Sequence, residues 1–419
     1  MSFFNQVPVG TLGRRMPKRR LAVLATVVSF LSIFAGSMVL EESRWEFRYV
    51  EGGDEHSYWD PETSNLFISG YSYVSLLREA GSQFVREGTV SFRSPQGERL
   101  HGGPIAFDGR WVFVGTSEGA LVAIDYLDFP RGGSFSNLSY VGHGGPVYLG
   151  GITTPGGLSI RAMALFEGAL FVSGTVDYPD PGGVVGVVLA LDVEDPGTIS
   201  MDRSSVKVLY NLTFQGEITD LDLQDGLLYV LEWTGEGAVD EGRMHVIDVS
   251  VSPPVETKVW STRPSYAMDI EGAIVAIVSA WTNSISLYDV AGNFGRSRTL
   301  PGIPVDIRLD SGRAYVSWFL NPFDEPGLSI LSTPDLDSSV NMGFDRFRID
   351  IGHVQVLTEG ILLVSDRGMA VVTLASRPAV LVNGFVQTLV LASGIVTAFA
   401  AVYWTPPVDR GTFRDGRES

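Results

Sequence analysis

The sequence predicts an all-β protein, a seven-bladed β-propeller with a transmembrane helix at each end, and three observations carry that prediction. A hairpin pattern recurs through the middle of the chain, with turn glycines at 109, 168, 226, 272, 312 and 360. The segments around those glycines alternate apolar and polar residues and are crowded with Val, Ile, Tyr and Phe, the period of a strand rather than a helix. Two long apolar runs, 21–40 and 379–404, bracket the repeats.

The first run, Leu21 to Leu40, has twenty residues without a charge. At about 1.5 Å per residue it spans about 30 Å, the thickness of a bilayer core. Arg14, Arg15, Lys18, Arg19 and Arg20 stand in front of it, so residues 1–20 form a basic tail that the positive-inside rule keeps in the cytoplasm. The alternative reading of this run is a cleaved signal peptide, with Ala35-Gly36-Ser37 as the small-residue cleavage site. The second run ends in Tyr403-Trp404 and Pro406-Pro407, an interfacial aromatic pair followed by a helix stop, which leaves 405–419 as a cytoplasmic tail. Ser29, Ser32 and Gly36 share one helical face of the first run, and Gln387, Gly394 and Thr397 share one of the second. Small residues let helix backbones approach in lipid, so these stripes predict antiparallel pairing of the two spans, with Gln387 level with Ser32.

Between the spans, residues 44–374 divide into units of one design. Leu221-Asp-Leu-Gln-Asp-Gly-Leu-Leu-Tyr-Val, Ile307-Arg-Leu-Asp-Ser-Gly-Arg-Ala-Tyr-Val and Ile105-Ala-Phe-Asp-Gly-Arg-Trp-Val-Phe-Val show it. A strand leads to an acidic or polar residue beside Gly, then to a second strand. Glycine takes the positive φ of a tight turn and the acid bonds local backbone donors, so these acids belong to hairpins rather than to a metal site. A third strand ends in Asp125, Asp192, Asp248 or Asp289, and a fourth, more polar strand follows, as at 88–92, 206–210, 256–260 and 346–350. A weaker copy begins at Ser64, which makes seven units. Four-strand units at intervals near 40–50 residues are the signature of propeller blades, because one small sheet cannot bury both faces alone.

The endings Val246-Ile-Asp-Val-Ser-Val-Ser-Pro and Leu189-Ala-Leu-Asp-Val-Glu-Asp-Pro resemble the LVIVD-type repeat of bacterial and archaeal surface propellers. That resemblance implies an extracytoplasmic propeller with a binding role. The last two units end in Leu331-Ser332 and Thr373-Leu374, without the Asp.

The seventh unit stops after three strands at Leu374, where the chain is expected to enter the membrane. Arg44-Trp-Glu-Phe-Arg-Tyr-Val alternates and precedes the first hairpin, so 45–50 is expected beside 368–374 as the missing fourth strand. Such closure removes an exposed sheet edge.

Composition narrows the chemistry. The chain has no cysteine, which excludes disulfides, thiolate nucleophiles and Cys-ligated metals. Its formal net charge of −18 repels phosphate backbones, so nucleic acid is not an expected partner. His101 and His353 precede the first strands of their units, near a propeller's central channel, and are the candidates for a metal there. They offer no complete ligand set, and no cofactor motif stands in a usable context, so no cofactor is expected. Longer loops between second and third strands carry Tyr178, Trp233, Trp318, Phe323 and Asp324. Loops at equivalent places gather on one face of the ring, and aromatic and acidic groups there form the expected recognition surface. Asn137-Leu-Ser and Asn211-Leu-Thr are glycosylation sequons.

The expected protein is thus a cell-membrane propeller on the extracytoplasmic side with both termini in the cytoplasm. It binds or scaffolds another envelope protein or a glycan. The alternative is a hydrolytic or metal-dependent enzyme with its site at the central channel, for which fold analogy alone argues.

Overall fold

A computed structural model describes residues 44–51, 56–80, 83–94, 97–130, 134–137, 147–151, 158–177, 184–194, 196, 207–235, 241–320, 326–333, 335–343, 351–357, 360–365 and 368–375. The chain divides into two compact units, 46–373 and the flanks 1–45 with 374–419. The two expected spans, with their pairing residues Ser29, Ser32, Gly36, Gln387, Gly394 and Thr397, lie outside the described residues. Among the described residues no helix is long and apolar enough to cross a membrane.

The unit 46–373 is a seven-bladed propeller. Strand β1 (Arg44–Glu51) comes first in sequence but belongs to the last blade. Blade one holds β2 (His56–Asp60), β3 (Asn65–Gly70), β4 (Tyr73–Ala80) and β5 (Gln83–Ser91). Blade two begins with β6 (Gly102–Phe107), β7 (Trp111–Thr116) and β8 (Ala120–Asp125). The chain then detours through β9 (Ser134–Asn137), which pairs in parallel with β5 as a fifth strand of blade one, and returns as β10 (Val147–Gly151) to complete blade two. Blade three is β11 (Ser159–Phe166), β12 (Ala169–Asp177), β13 (Val184–Asp192) and β14 (Val208–Phe214). Blade four is β15 (Glu217–Gln224), β16 (Leu227–Thr234), β17 (Glu241–Asp248) and β18 (Val255–Thr262). Blade five is β19 (Ala267–Glu271), β20 (Ile274–Ser279), β21 (Ser284–Asp289) and β22 (Phe294–Thr299). Blade six is β23 (Ile303–Asp310), β24 (Arg313–Phe319), β25 (Pro326–Ser332) and β26 (Ser338–Gly343). The fourth strand of that blade is therefore β26, earlier than the expected 346–350, which falls outside the described residues. Blade seven takes β27 (Ile351–Leu357), β28 (Gly360–Ser365) and β29 (Gly368–Ala375), and β1 lies beside β29 as its outer strand. The first and last strands of the ring thus close it.

The turns explain the register. Phe166 pairs with Ala169, Gln224 with Leu227 and Asp310 with Arg313, so each hairpin has a two-residue loop. Glu167 and Gly168, Asp225 and Gly226, and Ser311 and Gly312 all have positive φ, the type I′ geometry whose twist matches the flanking strands. Second and third strands are buried on both sides, as in β7, where every residue from Trp111 to Thr116 is buried. Their side chains meet those of the next blade. Phe113, Leu121 and Ala123 pack against Leu158, Ile160, Leu170 and Val172, and this inter-blade sandwich recurs around the ring.

Two features of the pleat repeat. The register of the first strand slips at the same place in several blades, between Ile160 and Ala162, Ile218 and Asp220, Pro304 and Asp306, and Ile351 and His353. A bulge there re-aims the residues that follow it, which is how Asp220, Asp306 and His353 come to share one level of the innermost strands. The antiparallel meander also sorts the connections. Turns between second and third strands, and the connectors between blades, lie on one side of the ring; turns between first and second and between third and fourth strands lie on the other.

Candidate functional site

The innermost strands line the centre, where carboxylates reach from one blade to the next. Asp220 Oδ2 accepts the Met268 N–H at 2.8 Å, from blade four to blade five. Asp269 Oδ2 accepts the Leu309 N–H, and Glu271 Oε1 accepts the Ser311 N–H at 2.6 Å, from five to six. Asp306 Oδ2 accepts the Val354 N–H at 2.9 Å, from six to seven. Gln355 Nε2 then donates to the Ser57 carbonyl at 3.0 Å, from seven to one. The bonds to Met268, Leu309 and Val354 satisfy backbone donors of innermost strands that lack a partner in their own sheet, Glu271 holds a turn amide, and Gln355 satisfies a carbonyl.

Arg308 stands among these acids, with Nη1 3.7 Å from Asp269 Oδ1 and 3.9 Å from Asp306 Oδ1. About a third of its side chain, 32%, is exposed, so the centre around it is not close-packed. Burial pushes the Asp220 carboxyl up to about 7 and, with Asp222 adding to it, the Asp269 carboxyl up to about 8. Asp222 is raised as well, chiefly by burial. Burial also opposes charge on Asp306, but Arg308 and the His353 hydrogen bond outweigh it and hold Asp306 at about 2. His353 Nδ1 lies 3.3 Å from Asp306 Oδ2, and its ring centroid is 4.7 Å from that of His56. Burial, then the His353 charge, lowers His56 to about 3 and keeps that ring neutral.

A second polar cluster threads blade four. His245 Nε2 lies 2.9 Å from Glu232 Oε2, and its Nδ1 lies 2.7 Å from Glu256 Oε1. Glu232 Oε1 also accepts the Gly216 N–H at 2.7 Å. Burial works against the charge on both members, yet the hydrogen bonds raise His245 and hold Glu232 below the usual carboxylate range.

The side of the ring that holds the second-to-third turns carries aromatic groups, exposed at Tyr71, Tyr266 and Trp281 and half-buried at Trp233. Trp233 at the end of β16, Tyr266 on the connector before β19, and Trp281 on the turn after β20 form a corner across blades four and five. The Trp233 ring lies 6.0 Å from Tyr266 and 6.2 Å from Trp281. Tyr266 is 40% and Trp281 56% exposed, although a Trp normally hides most of its surface. On the same side, the ring of exposed Tyr71 lies 4.4 Å from that of His101, tilted 54° to it, with the Arg99 guanidinium 5.6 Å from the Tyr71 ring centre.

Of the residues the sequence singled out, Trp233 joins this corner, while Tyr178, Phe323 and Asp324 lie outside the described residues. Trp318 is a correction. It belongs to β24, is 4% exposed, and donates from Nε1 to Ser329 Oγ at 2.8 Å. Its ring occupies the space a side chain would take at Gly327, where an added Cβ would fall 2.2 Å from the indole, so it packs the blade and offers no face to a ligand. His101 and His353 do not converge: His101 pairs with Glu118 at 2.6 Å, and His353 with Asp306. Among the described residues no group of His, Asp and Glu is arranged to hold a metal. Asn137 ends β9, and Asn211 is exposed on β14.

Sequence reasoning missed Tyr266, Trp281, His56 and the central acids. For two of these a signal existed: Asp220 and Asp306 each stand six residues before a turn glycine, Gly226 and Gly312, an offset that marks an inward position after the bulge.

No family model matches the chain, and no curated protein does. Solved structures do. The WD40 domain of Neurospora crassa Pan2 superposes with a TM-score of 0.54 at 12% identity, covering 80% of this chain and 97% of that one. A chain of a mitotic checkpoint complex gives 0.54 at 11% identity, covering 80% and 95%. U3-55K gives 0.53 at 11%, covering 78% and 98%. At these identities the likeness is one of fold.

Proposed function

We propose that this propeller is a membrane-anchored, extracytoplasmic binding or scaffold module that engages another envelope protein or a glycan through its aromatic loop face. The observation that carries the reading is the Trp233–Tyr266–Trp281 corner, in which the rings of Tyr266 and Trp281 are left open to solvent against a half-buried Trp233. Exposed Trp and Tyr cost the free protein favourable burial and are the residues that dominate binding hot spots.

Topology supports the orientation. β1 leads into the first strand of blade one at the loop-face side, so Glu46 stands toward the opposite side; β29 runs away from the loop face toward Thr373. The chain thus enters and leaves the propeller on the side remote from the aromatic corner. Kinship with LVIVD-type surface propellers is part of this proposal and rests on the Val-Ile-Asp endings alone.

A channel enzyme is the second reading, favoured by the Asp306–His353 pair. Against it, the central carboxylates are engaged by neighbouring backbone N–H groups and by Arg308, an arrangement that serves ring assembly.

The chain has three lysines, Lys18, Lys207 and Lys258, which makes the topology directly testable. A membrane-impermeant amine reagent applied to intact cells is expected to label Lys207 and Lys258 and to spare Lys18; the reverse pattern defeats the placement. For binding, wild-type protein and the Trp281→Ser and Tyr266→Ser variants are purified from native membranes after cross-linking. Loss in both variants of a species that the wild type retains supports the loop face, and an identical set of species from all three rejects it.

A further inference from the structure

Every blade ends in an outer strand, and an unpaired outer edge is a template for pairing with another chain. The ring handles its edges unequally. β5 is covered by β9. β18 carries Glu256 and Lys258, and β22 carries Arg296 and Arg298, charges that resist edge-to-edge pairing. β14 is different. Its seven residues, Val208–Phe214, include no charge, among the described residues it pairs with β13 alone, and of the described outer strands without a charge it is the longest.

That strand also holds a sequon. Asn211 and Thr213 are both exposed, while Tyr210, Leu212 and Phe214 between and beside them turn inward and pack on the inter-blade cluster. The acceptor amide and the hydroxyl two residues on therefore share the outward face of a free edge. The other sequon, at Asn137, ends β9, a strand whose partner is β5.

We infer that Asn211 is an N-glycosylation site and that its saccharide is the device that keeps the β14 edge from pairing with another chain. This rests on the extracytoplasmic placement proposed above. In the transfer, the Asn211 side-chain nitrogen forms a bond to the anomeric carbon of a lipid-phosphate-linked saccharide. The anomeric C–O bond breaks with its electron pair leaving on the lipid phosphate, and the amide gives up one proton to the base of the membrane transferase. A bulky hydrophilic group at Asn211 then stands beside the longest described outer strand that carries no charge of its own.

The test uses the full chain purified from its native membranes. Mass spectrometry of the peptide containing Asn211 is expected to show a saccharide increment that Thr213→Val and Asn211→Gln abolish and Asn137→Gln leaves in place. Thr213→Val keeps a β-branched residue in the strand, so the fold is retained; both modification-null variants are expected to shift toward higher oligomers in light scattering. Bare Asn211 in wild-type protein overturns the inference, as does a saccharide on Asn137 alone. Lysine labelling on intact cells separates the causes: Lys207 labelled with Asn211 bare leaves the placement standing and rejects only the glycan, whereas Lys207 unlabelled rejects both.

Discussion

Asp306 on β23 accepts the backbone N–H of Val354 on β27 at 2.9 Å, so a side chain of the sixth blade completes the hydrogen bonding of the seventh. The same carboxylate faces Arg308 and His353. One residue thus serves backbone pairing, ring closure and charge balance together. Removing it leaves a buried N–H without an acceptor and a cation without its counter-ion. Asp306→Ala is expected to destabilise the propeller by ~3–5 kcal/mol, the cost of breaking a buried pair from one side. Chemical denaturation reads this directly, and adding Arg308→Met to the variant should recover part of the loss. A single variant within ~0.5 kcal/mol of wild type defeats the claim.

Asp220 and Asp269 titrate in the opposite sense. Their folded values, about 7 and about 8, lie above the ordinary 3.8. As pH rises from about 4 toward 8 the unfolded chain ionises first, so the native state loses stability through that window. Asp269→Asn stays neutral and can still accept from Leu309. Its thermal midpoint relative to wild type is therefore expected to be higher at pH 8.5 than at pH 5, and a pH-independent difference argues against the raised carboxyl.

His245 adds a second pH dependence with the same overall direction. Its folded pKa is raised, so its contribution is complete below the ordinary 6.5 and is lost as pH rises through the folded value. Of its two partners, Glu232 is 1% and Glu256 51% exposed. Glu256→Gln is expected to cost under ~1 kcal/mol, as for exposed ion pairs, whereas His245→Ala leaves Glu232 buried without its counter-ion and should cost ~3 kcal/mol or more. Equal losses in the two variants would show that burial does not set the energy of this cluster.

Two tryptophans separate stability from recognition. Trp318→Ala empties a packed site over Gly302 and Gly327 and is expected to cost ~3–5 kcal/mol. Trp281→Ala trims an exposed ring and should leave stability within ~0.5 kcal/mol. Urea titration of both variants checks the contrast, and a large loss for Trp281→Ala would mean that the exposed corner is itself structural.

How much of this was legible in the sequence depended on distance along the chain. The hairpins at Glu167-Gly168, Asp225-Gly226 and Ser311-Gly312 are local: two residues with positive φ set the turn, and alternation on either side sets which face is buried. Recurrence of that local pattern is enough to specify blades, their number, and a need for β1 to complete the last of them. The third-strand endings at Asp125, Asp192, Asp248 and Asp289 follow in the same way. Trp318 was misjudged for a related reason. Its neighbourhood reads as a loop, but the two glycines that make room for its ring, Gly302 and Gly327, lie in the connector and strand on either side of β24.

The centre and the aromatic corner were decided only by tertiary structure. Asp220 meets Met268 and Asp306 meets Val354 across 48 residues of chain, and Trp233 meets Trp281 across a blade boundary. Such contacts form because the ring curvature brings equivalent strands of successive blades together, and nothing in either residue's own neighbourhood announces the partner. The sequence by itself determined which repeating unit the chain builds, because turn geometry and strand alternation act over a few residues. Which acids would face one another around Arg308, and which rings would stand open on the loop face, waited on the closing of the circle, because those energies belong to pairs that exist only once the blades are packed.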